Sequence, residues 1–134
     1  MKFRVISSKN EIESIDKNEE FIHFAFRPSN ADIFSVISNN PNVKAIQIPT
    51  SYMKTLSKSI NTFFDLYGVS LIEGDVWGHR KDINEYYEVP DSVYEKLKEL
   101  INEGLTEEDI VDKLSRETKL NPDFIKFLIN QDLN

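Results

Sequence analysis

Phe21-Ile-His-Phe-Ala-Phe26 is the stretch whose reading decides the fold. Its side chains do not alternate between apolar and polar, as they would in a strand with one wet face. A near-continuous apolar run of this length fits a strand covered on both sides, which is the habit of parallel sheets. Arg27-Pro-Ser-Asn30 then stops the strand, and Asn30 is a good N-cap for a helix carrying Ile33, Phe34, Val36 and Ile37.

The pattern repeats downstream. Asn39-Asn-Pro-Asn42 is a turn, because Asn tolerates left-handed dihedrals and Pro fixes φ. Val43-Lys-Ala-Ile-Gln-Ile48 reads as the next strand, ended by Pro49. Thr50 or Ser51 then caps one long helix to about Tyr67, with Tyr52, Leu56, Ile60, Phe63 and Phe64 at helical spacing. Gly68 closes that helix, and Val69–Glu73 is a further strand. Upstream, residues 2–7 form a first strand. A short helix capped by Ser8 or Asn10 runs through Lys17, with Ile12 and Ile15 on one face.

Strand and helix therefore alternate, with connections long enough for right-handed crossovers between parallel neighbours. The expected fold class is α/β: a four-stranded, mostly parallel sheet in a flavodoxin-like or Rossmann-like three-layer arrangement, spanning residues 1–89. Ile83–Val89 reads as a short edge strand or an ordered segment. Residues 90–134 read as a trihelical, helix-turn-helix-like appendage. Its first helix starts at Pro90 with Asp91 or Ser92 and stops at Gly104. Thr106-Glu-Glu-Asp109 opens the second in the manner of a capping box, and Asn121-Pro122 opens the third.

Composition narrows the function classes. The absence of Cys excludes a disulfide framework, thiolate catalysis and Cys-ligated metal centres. No apolar run approaches the roughly 20 residues of a membrane span, and the N-terminus lacks the apolar core of a signal peptide. A cytoplasmic location with no membrane partner is the expectation. The net charge of −7 is concentrated in the last third of the chain. Residues 91–134 hold 6 Lys+Arg against 11 Asp+Glu, which leaves −5 there and −2 in residues 1–90. Such a tail repels phosphate backbones, so nucleic acid is a disfavoured partner. The would-be recognition helix, Asn121–Asn130, offers Lys126 against Asp123. A protein partner or a homodimer formed through 90–134 fits this surface better.

A parallel sheet would gather its polar strand ends along one edge, where open α/β sheets place ligands. Arg27, Ser29 and Asn30 follow one strand, and Thr50 and Ser51 another. Two of these ends are also helix N-termini, whose free N–H groups favour anions. The Val69–Glu73 strand leads through Gly74 into Asp75-Val-Trp-Gly-His-Arg-Lys-Asp82, where Trp77 would wall a pocket and Arg80 would pair an anion. A small anionic ligand held by Arg27, Ser29, Asn30, Thr50, Ser51, Trp77 and Arg80 is the expectation this pattern carries. The alternative account makes the Ser, Thr and Asn plain helix caps.

Chemistry is also available near Trp77. His79, oriented by Asp75 or Asp82, has the composition of a general base for a small hydrolase or transferase. The same three residues, spaced four and three apart, could in composition ligate a divalent metal, but in a loop of unknown shape that spacing is uninformative and Arg80 and Lys81 intervene, so no metal is expected. Gly74-x-x-x-Gly78 lacks the Gly-Lys-Ser/Thr ending of a phosphate loop, so no cofactor is expected. His23, inside an apolar strand, reads as a core residue.

Phe26-Arg-Pro-Ser-Asn30, Ala45-Ile-Gln-Ile-Pro49, Ser51-Tyr52 and Glu73-Gly-Asp-Val-Trp-Gly-His-Arg-Lys-Asp-Ile-Asn-Glu-Tyr86 together resemble a small archaeal family of uncharacterised proteins, known from methanogens, over residues 1 to about 90. That resemblance implies no activity. Asn42-Val-Lys-Ala-Ile46 and Tyr67-Gly-Val-Ser-Leu71 are similar to the flavodoxin-like half of D-2-hydroxyacid dehydrogenases. Without a Gly-x-Gly-x-x-Gly or room for a nicotinamide domain, the similarity implies a fold and not a dehydrogenase.

Overall fold

The computed structural model describes residues 2–75, 86–118 and 120–133. The chain divides into two compact units, Met1–Glu88 and Val89–Asn134.

The first unit is built on β1 (Lys2–Ile6), β2 (Phe21–Phe24), β3 (Ala45–Ile48), β4 (Ser70–Glu73) and β5 (Tyr86–Glu88). Their order across the sheet is β4-β3-β2-β1-β5. The first four strands are parallel, and β5 pairs antiparallel with β1. The sheet thus has the four parallel strands expected and a fifth, β5, within the stretch that reads as an edge strand or an ordered segment.

β5 adds to the sheet edge through Tyr86. Its ring lies under both Lys2 Nζ (5.1 Å) and Arg4 Cζ (5.9 Å), while its hydroxyl donates to the Glu19 carboxylate. Arg4 is buried and donates to the Val5 carbonyl at 2.9 Å. Among the described residues it forms no ion pair, so the aromatic face is what compensates part of its desolvation. Burial pushes the neighbouring Tyr87 phenol above its usual pKa.

Consecutive parallel strands lie side by side, and the order never reverses from β1 to β4. Right-handed crossovers that all step in one direction place their connections on one face of a sheet. The packing agrees. Ile12 and Ile15 from the first connection join Ile33, Val36 and Ile37 of α1 (Asn30–Asn39) and Ile60 and Phe64 of α3 (Lys58–Tyr67). All of them pack on Ile6, Ile22, Phe24, Ile46 and Ile48. The α/β class with a mostly parallel sheet is the one expected from the sequence, and within it the parallel strands show no reversal of order. The opposite face of the sheet carries Phe3, Val5, His23, Ala45, Gln47 and Ile72, which are buried as well. His23 is thus a core residue, as its apolar context suggests.

Three local features differ from the expectation. The first connection is a 3-10 helix, Lys9–Ser14, capped by Ser8, whose backbone N–H donates to Glu11 at 2.8 Å. The N-cap of α1 is Ser29 rather than Asn30, because Asp32 at the third helical position closes a reciprocal capping box with it. The single long helix expected after Pro49 is two. A four-residue α2 (Thr50–Met53) ends where Thr55 Oγ1 donates back to the Tyr52 carbonyl, and Ser57 then caps α3 from an extended conformation. Gly68, at φ 68°, ends α3 in the left-handed region that a side chain disfavours.

The second unit consists of α4 (Asp91–Asn102), α5 (Glu107–Thr118) and α6 (Pro122–Leu133). Each turns an apolar stripe inward: Val93, Leu97 and Leu100; Ile110, Val111 and Leu114; Phe124, Ile125, Leu128 and Ile129. No helix among the described residues is long and apolar enough to cross a membrane.

Candidate functional site

At the C-terminal edge of the parallel strands, the β2 and β3 ends meet through Arg27 and Tyr52. The Arg27 guanidinium lies 5.2 Å from the Tyr52 ring centroid. A guanidinium held over an aromatic face keeps its N–H donors for other partners, which suits recognition of a planar anion. Arg27, Thr50 and Ser51 are exposed here, and Tyr52 is half-buried.

The other predicted contributors are committed elsewhere. Ser29 Oγ accepts from the Asp32 N–H (3.1 Å), and the Ser29 N–H donates to Asp32 Oδ2 (2.9 Å). Asp32 is buried, and its other oxygen lies 3.5 Å from Lys9 Nζ. A carboxylate of the chain therefore sits where a ligand anion would meet the start of α1. Asn30 donates to Ser57 Oγ (3.2 Å) and ties the start of α1 to the cap of α3. The helix beginning at Thr50 has a single turn and offers little dipole to an anion. The strand order also lacks the switch-point crevice that open α/β sheets use. Of the strand-end set, Arg27, Thr50 and Ser51 remain available. Asp75 is exposed after β4, while Trp77, His79, Arg80 and Asp82 lie outside the described residues. Among the described residues no three His, Asp or Glu side chains are grouped to hold a metal.

Sequence reasoning missed Asp32 and Lys9 as parts of this edge, and did not foresee that Tyr52 would lie against Arg27. Ser29-x-x-Asp32 is a readable capping signal. The Lys9–Asp32 and Arg27–Tyr52 contacts join different crossovers and leave no local trace. If Asp32 closes the start of α1, Asp32→Ala should cost about 1–2 kcal/mol, read as a lowered melting temperature. Asp32→Asn should recover part of that loss, because an amide oxygen still accepts from Ser29.

The second unit has its own geometry. α5 and α6 pack together and are joined through residues 119–121, a connection of helix-turn-helix length. Asn121 caps α6 through Oδ1, which accepts from the Asp123 N–H at 2.9 Å, and Thr106 Oγ1 accepts from the Asp109 N–H at 3.2 Å to start α5.

The model of the N-terminal domain of a family of unknown function (DUF1699) matches residues 2–85, more than half of the chain. The chain belongs to the DUF1699 family. The DUF1699 C-terminal model, described as a helix-turn-helix domain, matches residues 92–130, which take in almost all of α4–α6. No curated protein and no solved structure matches this DUF1699 chain.

Among the described residues, the exposed side of the DUF1699 helix-turn-helix carries several acidic groups. α6 exposes Pro122, Asp123, Lys126, Asn130 and Gln131. α5 opens with Glu107, Glu108 and Asp109, and its Arg116 is paired with Asp112. Lys96 of α4 is drawn to Glu117 at 4.0 Å. Lys126 is thus the one described cation on the exposed side of α6.

Proposed function

We propose that this DUF1699 chain is a two-unit interaction module. Its helix-turn-helix contacts protein rather than DNA, and its α/β unit takes a small anionic ligand at the strand ends. The observation that carries the reading is the charge of the helical unit. It has a helix-turn-helix shape, yet its second helix offers a single described cation beside an acidic first turn of α5. Specific and non-specific DNA binding both rest on neutralising several phosphates, and a unit in which 11 Asp+Glu outnumber 6 Lys+Arg opposes that. The ligand half rests on Arg27, held on Tyr52 with Thr50 and Ser51 nearby. A chain free of Cys suits a reducing cytoplasm.

A second reading, a transcription regulator, is favoured by the family description and by the short α5–α6 connection. Fluorescence anisotropy with 30-bp duplexes at about 50 mM salt separates the two. The expected result is no binding at about 10 μM protein. Binding whose logarithm falls with log salt at a slope of about −4 or steeper would establish the regulator instead. For the ligand half, a thermal-melt screen of phosphates, nucleotides and organic acids should give a stabilising hit that Arg27→Ala removes. A hit unaffected by that substitution would move the site elsewhere.

A further inference from the structure

The outward face of α3 is apolar at its C-terminal end and charged at both ends. Among the described residues, the large hydrophobic side chains left in solvent are Leu66 (78% exposed) and Tyr67 (53%), both in the last turn of α3. Phe63 and Phe34 continue that apolar surface, with ring centroids 4.6 Å between Tyr67 and Phe63 and 4.2 Å between Phe63 and Phe34. The inward side of the helix is Ile60 and Phe64. At 100° per residue, the outward side is Lys58, Thr62, Asp65 and Leu66, all exposed.

The charges on that face run against the helix. A helix favours anions at its N-terminus and cations at its C-terminus. α3 begins with Lys58 and carries Asp65 in its last turns, with no acidic residue in the first turn and no basic residue in the last. Among the described residues neither Lys58 nor Asp65 has an ion-pair partner. An unfavourable placement with no ion-pair partner among the described residues is one that opposite charges on a partner would offset.

We infer that α3 pairs antiparallel with α3 of a second copy, about a two-fold axis passing near Thr62. That symmetry sets Lys58 of each copy against Asp65 of the other, because the two lie two turns apart on one face. It also opposes the two helix dipoles. Leu66 then packs on the aliphatic stem of the facing Lys58 and on Thr62, which is small enough to let the helices approach. A two-fold interface must be self-complementary, and this face is. Helices of about 15 Å bury less than the roughly 1,200 Å² of a stable complex, so the dimer is weak. Small interfaces of this kind belong with the weak, transient ones, so association is to be sought at about 10–500 μM protein.

Sedimentation equilibrium of the full chain across that concentration range tests the pairing. Lys58→Asp and Asp65→Lys each place like charges opposite one another twice in the dimer. Each should weaken self-association by about tenfold or more. An equimolar mixture of the two variants restores both opposite-charge pairs, and its association should return to within about threefold of the parent. Both positions are exposed, and unchanged far-UV circular dichroism will show that the fold is kept. A parent that stays monomeric throughout would overturn the inference. So would a dimer indifferent to either single change, or a mixture that fails to recover.

Discussion

Phe24→Ala should remove about 3–5 kcal/mol from the stability of the fold, seen as a collapse of the urea midpoint by circular dichroism. Phe24 has no solvent exposure and sits on β2, which has parallel neighbours on both sides. Its ring packs edge-on to Phe26 with centroids 5.6 Å apart. It also belongs to the cluster in which the first connection, α1 and α3 meet the sheet. Truncation takes away the transfer free energy of the ring and leaves a cavity that parallel strands on both sides cannot close. Domains of this size have about 5–15 kcal/mol in total, so the loss takes a large share of the stability. A loss under about 1 kcal/mol would mean that the ring is not enclosed as described.

The second large effect has the opposite sign. Gln47 lies on β3 between His23 and Ile72, is 2% exposed, and its Oε1 has no hydrogen-bond partner among the described residues. A buried acceptor without a donor costs about 1–3 kcal/mol relative to an apolar group of the same shape. Gln47→Met keeps the length and removes that oxygen, so it should raise stability by about 1–2 kcal/mol, read from the same urea midpoint. Gln47→Glu places a charge in the same site and should destabilise strongly. If Gln47→Met instead lost about 1 kcal/mol or more, the oxygen would be serving an interaction outside the described residues, and a role beyond packing would have to be sought there.

Phe24 and Gln47 differ in how much of their setting is local. Phe21–Phe26 signals a strand covered on both faces because burial on both faces removes polar alternation, and that property belongs to the segment itself. The helix stripes at Ile33–Ile37, Ile60–Phe64 and Phe124–Ile129 are legible for the same reason, as is the glycine that ends α3. Nothing local marks Gln47 as an unsatisfied acceptor. Its neighbours across the sheet come from strands about 25 residues away on either side.

The candidate edge divides in the same way. Ser29-x-x-Asp32 is a capping signal within four residues, although Asn30 beside it has an equal intrinsic preference for the cap position. That Asp32 also draws Lys9, and that Arg27 lies on Tyr52, depends on which crossover ends stand side by side.

The sequence by itself determined the alternation of strands and helices, the apolar stripes, the acidic helical tail and the absence of thiol chemistry, because each is a property of neighbouring residues or of composition. Tertiary structure alone decided that β5 joins beside β1 in the opposite direction and that successive crossovers step one way and cover one face. It also decided that α3 keeps Lys58 and Asp65 at the surface, without an ion-pair partner among the described residues. Those outcomes depend on strand order, and a strand's pattern records how deeply it is buried without recording which strand lies next to it.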